Sequence, residues 1–504
     1  MTQTARGSVE MPSGTTEQSP AFESIDPRTG EIVGRHPIHD AAEVGARVTA
    51  AREAQAEWAE LGFAGRRQRL DAWRKLLAKR LDELAGVVCA ETGKPLDDAR
   101  LELMLVVDHL HWAASNAEKV LRRRKVSAGI VMANQTATVE YLPFGVIGVI
   151  GPWNYPAFTP MGSIAYALAA GNAVVFKPSE LTPGVGQWLA ESFAEAVPEH
   201  PVFQLVTGFG ETGAALCAAG VDKVAFTGST ATGKRVMASC AENLVPVLVE
   251  CGGKDALIVD ADADLAAAAD AAVWGAMSNA GQTCIGVERV YVVDAVADRF
   301  LEMVAERAGK LRPGGEPGAN FGPITMPSQV DIIRGHIDDA LSRGGRAVVG
   351  GEHSVRPPFV EPVVLTDVPE DSTAITEETF GPTIVVQRVR DADEGVARAN
   401  DSRYGLGASV FSRARGVELA RQLRTGMVAV NSVIAFAGVP SLPFGGVGDS
   451  GFGRIHGADG LREFTRPQSV TRLRYRMPLN PMSFARAKGT VRRLVRLVRL
   501  VRGR

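Results

Sequence analysis

Between residues 40 and 125 apolar positions recur at intervals of three and four, as in AAEVGARVTAAREAQAEWAEL and RRQRLDAWRKLLAKRLDELAGVVCAETG, and that period predicts helices. From 126 to 142 the run VSAGIVMANQTATVEYL changes to β-branched alternation broken at Asn134, which predicts a hairpin. Beyond it come short apolar runs, GVIGVIGP, NAVVFKP, HPVFQLVTG, DKVAFTG, VPVLVECGG and DALIVD, separated by helical spacers. Strands alternating with helices predict an α/β fold on a parallel sheet. A second α/β series follows residue 284, with strands ERVYVV, RAVVGG, TIVVQRV, GASVFS and MVAVN, and no fixed-period repeat is present.

At 504 residues, 45% hydrophobic and 22% charged, the chain has the composition of a globular protein with two or three cores. Its five cysteines are widely spaced with no CxxC pair, which argues against a disulfide framework or a zinc site and for a reducing, cytoplasmic setting; no metal is expected. Residues 1–21 are polar and rich in Ser, Thr and Pro; they are expected to be disordered and do not read as an export signal. No stretch reaches eighteen uninterrupted apolar residues.

The net charge of −2 conceals an asymmetry: residues 471–504 carry eleven Lys and Arg and no acid, leaving 44 basic against 57 acidic residues in the rest. In the terminal VRRLVRLVRLVRGR, Arg492, Arg496 and Arg499 share one helical face, while Leu494, Leu497, Val498 and Val501 face the other way. Such a tail suits an arm on a neighbouring subunit or peripheral contact with the anionic inner face of a membrane. Nucleic acid is not an expected partner, because the body is acidic.

In parallel sheets chemistry collects at the carboxyl ends of strands. KVAFTGSTATGKRV leads from a strand through Gly228, Ser229 and Gly233 into a helical pattern, a turn suited to a phosphate or to packing alone. It departs from the usual dinucleotide fingerprint, and its candidate ribose-binding acid comes earlier, in NAVVFKPSE. There Glu180 can accept from ribose hydroxyls and Lys177 can donate; the carboxylate would repel a 2′-phosphate, so NAD is expected ahead of NADP. VIGVIGPWNYPAF sets Trp153 and Asn154 at a strand end, and VPVLVECGGKDALIV sets Glu250 among apolar residues. Each has a plain alternative, a turn cap for Asn154 and a partnered structural acid for Glu250. In NAGQTCIGVERVYVV, Cys284 follows Gly281, Gln282 and Thr283 and reads as an exposed turn.

Taken together, PWNYP, GNAVVFKPSE, FTGSTATGKRV, VECGGKDALIV, NAGQTCIGVERVYV, EETFGPTIVV and PFGGVGDSGFGRIHG resemble, in order, the motifs of the aldehyde dehydrogenase superfamily, from about Phe22 to Gln468. The resemblance implies a Rossmann-type cofactor domain (22–125 and 144–252), an α/β catalytic domain (253–449) and a small β oligomerisation element (126–143 and 450–475), followed by the basic tail (476–504). It further implies Cys284 as nucleophile, Asn154 in the oxyanion hole and Glu250 as the base that hydrolyses the thioester. Trp153, Lys177, Glu180, Gly228, Ser229, Gly233, Glu378 and Phe380 would bind the cofactor. Glu378, in TEETFG, would otherwise read as a surface acid. Two features depart from many relatives: Cys251 follows the base, and Ile455-His456 stands where tetrameric relatives carry a proton-relay glutamate. The expected assembly is a homodimer or homotetramer acting on a small aldehyde. The alternatives are a succinate-semialdehyde-type enzyme, which needs a cation for the distal carboxylate, and a catalytically silent scaffold.

Overall fold

The computed structural model describes residues 20–316, 318–476 and 481–503. Most of the segment expected to be disordered, residues 1–19, lies outside these. Ala21 already belongs to a hairpin, Ala21–Ile25 against Ile32–Pro37, which the hydrophobic pattern does not announce.

Four helices occupy the stretch where the period predicts them: Ala41–Glu60, Gly62–Lys79, Leu81–Thr92 and Leu96–Leu121. Asp40 and Glu43 close the first with a reciprocal capping box. Gly93 ends the third at φ 72, a left-handed stop that costs a glycine little. The apolar faces bury Trp58, Leu70 and Trp73 in one core with the first sheet. Both indole N–H groups are satisfied, Trp58 by Leu168 O and Trp73 by Ser192 Oγ, each at 2.9 Å.

That sheet has six strands in the order Gly451–Phe452, Val247–Glu250, Lys223–Thr227, Val146–Ile150, Ala173–Lys177 and Phe203–Leu205. All neighbours are parallel except the Gly451–Phe452 edge. The chain enters at Val146–Ile150, winds to one side and then to the other, so the end of this strand is the point where the winding reverses. Pro152, Trp153 and Asn154 follow it directly.

A second sheet has seven strands, ordered Arg346–Val349, Val363–Thr366, Thr383–Val389, Val287–Val293, Asp255–Val259, Gly407–Phe411 and Met427–Val430, with only the first antiparallel to its neighbour. Val287–Val293, Asp255–Val259 and Gly407–Phe411 are buried along their whole lengths, as central parallel strands must be.

The hairpin predicted around Asn134 forms between Arg124–Val126 and Gln135–Pro143. Thr465–Leu473 then pairs antiparallel with Gln135–Pro143 along nine residues, from Thr465 opposite Pro143 to Leu473 opposite Gln135, and forms an exposed edge. The segment after 450 is therefore divided: Gly451–Phe452 joins the six-stranded sheet and Thr465–Leu473 joins the hairpin.

Trp73 packs edge-on against Phe193 at 5.1 Å and beside Phe203 at 5.8 Å, joining the helical layer to the first sheet. Trp73→Ala is expected to cost about 3–5 kcal/mol through the cavity it leaves. A fall in the denaturant midpoint at unchanged slope would show this, and an unshifted midpoint would refute it.

Candidate active site

Cys284 sits in the turn that leads into Val287–Val293, after a short turn Ser278–Gly281 in which Asn279 (φ 54), Ala280 (φ 57) and Gly281 (φ 72) are all left-handed. Each of the two non-glycine residues costs about 1–2 kcal/mol in that conformation, so something must hold them. Asn279 Nδ2 donates to Asn154 O and Gln282 O, both at 3.1 Å, and Gln282 Nε2 donates to Asn279 O at 2.9 Å and Pro323 O at 3.1 Å. Gly281 is obligatory for a second reason: a Cβ there would lie 2.0 Å from Gly381 O.

The expectation of an exposed turn is half met. Cys284 lies in a turn and is itself half-buried, but every flanking residue from Asn279 to Val287 is buried and Cys284 lines a cavity. The other four cysteines are buried. Burial, with Glu378, Asp255 and Glu250 close by, pushes the Cys284 thiol well above the ordinary range.

Glu250 ends the strand Val247–Glu250 and lines the same cavity. The partnered-acid alternative does not hold among the described residues, where neither carboxylate oxygen has a hydrogen-bond partner. Burial raises its pKa well above the usual carboxylate range, partly offset by Arg454. Cys251 packs against Gly233, where a Cβ would meet its Sγ at 3.1 Å, and burial lifts its thiol to about 12.

Two buried lysine–glutamate pairs fix the surrounding loops. Glu102, inside the helix Leu96–Leu121, pairs with Lys94 Nζ at 2.8 Å and accepts from Ala157 N at 2.9 Å and Phe158 N at 3.0 Å. Lys94 Nζ also donates to Asn154 O at 2.8 Å, so the pair grips the PWNYP turn from below. Asn154 Nδ2 donates to Gln282 O at 2.9 Å, tying this turn to the cysteine turn and doing more than a local cap. On the other side Glu288 pairs with Lys254 and accepts from Thr379 N at 2.8 Å and Phe380 N at 3.0 Å. This holds Phe380 at φ 52. Its ring stands edge-on to Trp153 with centroids 5.6 Å apart. The sequence pattern did not single out Glu102, Lys94, Glu288, Lys254 or Asn279; a glutamate in a helix's apolar stripe and another opening ERVYVV were the available signals.

Glu378 is half-buried, not a surface acid; it accepts from Gly253 N at 2.9 Å, and burial with Glu288 nearby pushes it up to about 8. Gly252 makes room for it, because a Cβ there would fall 2.1 Å from both carboxylate oxygens. Along the first sheet, Lys177 is buried at the end of its strand, 3.6 Å from the Glu180 carboxylate, which is exposed. Gly228 and Ser229 follow the strand Lys223–Thr227, and Ser229 caps the helix Thr230–Ala241, its hydroxyl accepting from Thr232 N at 3.3 Å. Ser229, Ala231 and Thr232 are exposed, so the helix start is open to an anion, while Gly233 is buried beneath it. An open helix start, an ion-paired acid after a strand two places along the same sheet and an edge-on aromatic pair fit the pyrophosphate, ribose and nicotinamide of a dinucleotide.

The cavity around Cys284 and Glu250 is walled mainly by apolar side chains, among them Leu101, Leu105, Phe158, Ile434, Phe444 and Ile455. Lys94 is the cation among its described lining residues, and it is committed to Glu102 and Asn154 O. His456 also lines the wall, at φ 60 and ψ 165, a region that costs any residue but glycine about 1–3 kcal/mol.

Residues 15–470 match the model of the aldehyde dehydrogenase family. The chain belongs to that family. It is 40% identical over 465 residues to a 4,4'-diapolycopene aldehyde oxidase of a Methylomonas species, covering 92% of this chain and 87% of the relative. It is 37% identical over 466 residues to a Mycolicibacterium smegmatis protein provisionally named an NADP(+) succinate-semialdehyde dehydrogenase, covering 89% and 90%. The crystal structure of Escherichia coli lactaldehyde dehydrogenase superposes with a TM-score of 0.87 at 29% identity, covering 91% of this chain and 97% of that one. The protein is thus an oxidoreductase acting on aldehydes with NAD(P).

Because the Cys284 thiol is raised, its thiolate fraction keeps growing well above neutral pH. The rate of Cys284 alkylation by iodoacetamide in the free enzyme is expected to climb through the alkaline range without levelling near the ordinary thiol pKa. A plateau near neutrality would show an activated resting thiolate instead.

Proposed function

We propose that the enzyme oxidises a neutral, apolar aldehyde to its carboxylate with NAD, and the observation that carries this is the apolar cavity in which Cys284 meets an unpartnered Glu250. Cys284 sulfur attacks the carbonyl carbon, its proton passing to water, and the carbonyl electrons move to oxygen. The second N–H of the Asn154 amide and the Cys284 backbone N–H stabilise that oxyanion. The bond from the former carbonyl carbon to its hydrogen then breaks as the oxyanion re-forms the carbonyl, leaving a thioester on Cys284; a bound nicotinamide would be the hydride acceptor. Glu250 then takes a proton from water as the water oxygen attacks the thioester carbon; the carbon–sulfur bond breaks and Cys284 leaves as thiolate. The raised pKa of Glu250 suits it to hold that proton near neutral pH.

Lys177 and Glu180 would take the adenosine ribose, Gly228, Ser229 and Gly233 the pyrophosphate, and Glu378, Phe380 and Trp153 the nicotinamide end. This assigns 22–125 and 144–252 to the cofactor and 253–449 to catalysis. The exposed Glu180 carboxylate favours NAD over NADP by repelling a 2′-phosphate. The Mycolicibacterium relative's name favours a semialdehyde instead. Against it stand a cavity cation already engaged by Glu102 and a further acid, Asp98, in the same lining. The free edge of Thr465–Leu473 supports a homodimer or homotetramer.

Turnover of alkanals, benzaldehyde and succinate semialdehyde with NAD and NADP tests the reading. Expected are a preference for NAD, kcat/KM for alkanals at least about tenfold above that for the semialdehyde, and a loss of about a thousandfold or more in Cys284→Ala. Better turnover of the semialdehyde would move the assignment to that class.

The helix Thr490–Arg502 supports a cytoplasmic enzyme resting on an anionic membrane face. Val491, Val495, Leu497, Leu500 and Val501 are exposed beside five arginines, and no described helix is long and apolar enough to cross a membrane. Each arginine contributes about 1 kcal/mol at such a surface. The full chain should sediment with phosphatidylglycerol vesicles and not with phosphatidylcholine, and the triple change Arg492→Glu, Arg496→Glu, Arg499→Glu should abolish it. A wild type that stays in the supernatant, with an oligomeric state that the triple change alters, would make the helix a subunit arm.

A further inference from the structure

His456 stands apart from the rest of the cavity wall. It is 1% exposed, yet both ring nitrogens lack a hydrogen-bond partner among the described residues. The ring is boxed by aromatic groups: His109 at 4.1 Å between centroids, Phe444 at 5.4 Å, Phe158 at 5.6 Å and Tyr166 at 5.7 Å. Gly162 leaves space for it, since a Cβ there would lie 2.7 Å from Nε2. The backbone holds a conformation natural only to glycine, so the chain bears strain to put an imidazole at this place. An apolar side chain would fill the same box without leaving a donor and an acceptor unmatched.

His109 does not relieve this. Its Nε2–H donates to Ala437 O at 3.2 Å, which leaves Nδ1 as a bare acceptor, also unpartnered. Burial keeps both rings neutral, His109 pushed down to about 4 and His456 further below its usual value, with the neighbouring imidazole adding to the effect on His456. A neutral imidazole offers one N–H and one lone pair, a match for a hydroxyl or carbonyl and a poor one for a carboxylate.

We infer that His456 is a hydrogen-bonding subsite in the cavity wall that receives a hydroxyl or carbonyl oxygen carried by an otherwise apolar aldehyde. This deepens the reading of the cavity as the aldehyde site and rests on it. The substrate class becomes hydroxy- or oxo-substituted apolar aldehydes, with the second oxygen remote from the reacting carbonyl.

The test compares ω-hydroxyalkanals with alkanals of equal length, over a series of chain lengths, in the wild type, His456→Leu and His456→Gln. At the length that brings the hydroxyl to the ring, the wild type should use the hydroxyaldehyde at least as well as the alkanal, although a hydroxyl buried against an apolar wall is normally penalised. In His456→Leu the ratio of kcat/KM, hydroxyaldehyde over alkanal, should fall about tenfold. His456→Gln, which keeps a donor and an acceptor, should restore part of it. A wild type that disfavours the hydroxyaldehyde at every length overturns the subsite, and so does a His456→Leu protein in which both substrates fall by the same factor. The wild-type arm holds even where a variant fails to fold. Failure to oxidise either aldehyde is a different result, which removes the parent reading and the subsite together.

Discussion

Two lysine–glutamate pairs taken out of water hold the loops on either side of Cys284. Lys94 with Glu102 secures the turn that carries Trp153 and Asn154; Lys254 with Glu288 secures the one that carries Glu378 and Phe380. Neither pair is a bargain in stability, because desolvating two charges offsets most of their attraction. Their worth lies in geometry: each glutamate also accepts from two successive backbone N–H groups, Ala157 and Phe158 at the start of the helix Phe158–Ala170 in one case, Thr379 and Phe380 in a loop in the other. Loss of one partner would strand a buried charge and release the loop together. The aromatic pair Trp153–Phe380 depends on both grips, since one ring comes from each loop.

Between these grips the electrostatics favour neutrality. Glu250, Glu378 and Asp255 are all raised by burial, and so is the thiol they surround. Burial therefore favours the protonated form of each of these groups, with Arg454 an opposing influence on Glu250. A cation brought close to Cys284 would shift this balance toward the thiolate by simple Coulomb attraction.

Much of the fold was legible. Strands such as GVIGVIGP and DALIVD are short apolar runs with turn residues at both ends, and the four helices keep an uninterrupted period. The hairpin Ala21–Ile25 with Ile32–Pro37 was not legible, because the second strand's residues are mostly exposed and its alternation is weak. Val363–Thr366 was also missed, a four-residue run set between Pro362 and Pro369 and buried only by its neighbours in the sheet. At the site, Cys284 and Glu250 were visible as reactive groups in unusual company. Whether Glu250 had a partner was not, since an ion pair joins residues as far apart in sequence as Lys254 and Glu288, and a lone sequence carries no sign of distance in space. The three left-handed residues before Cys284 illustrate the same limit: Asn and Gly tolerate that region, but Ala280 enters it only because the surrounding hydrogen bonds leave it no other path.

The edge strand Thr465–Leu473 has a consequence for life at high protein concentration. An open edge nine residues long is a template on which any unfolded chain could grow a sheet. This one carries Pro467, which has no N–H to offer, between Arg466 and a polar run that ends with Arg472. A stray strand therefore meets an interrupted row of donors and a repelling charge wherever it is basic itself. Only a surface already shaped to that interruption pairs well with it, so the edge is selective before any side chain has docked.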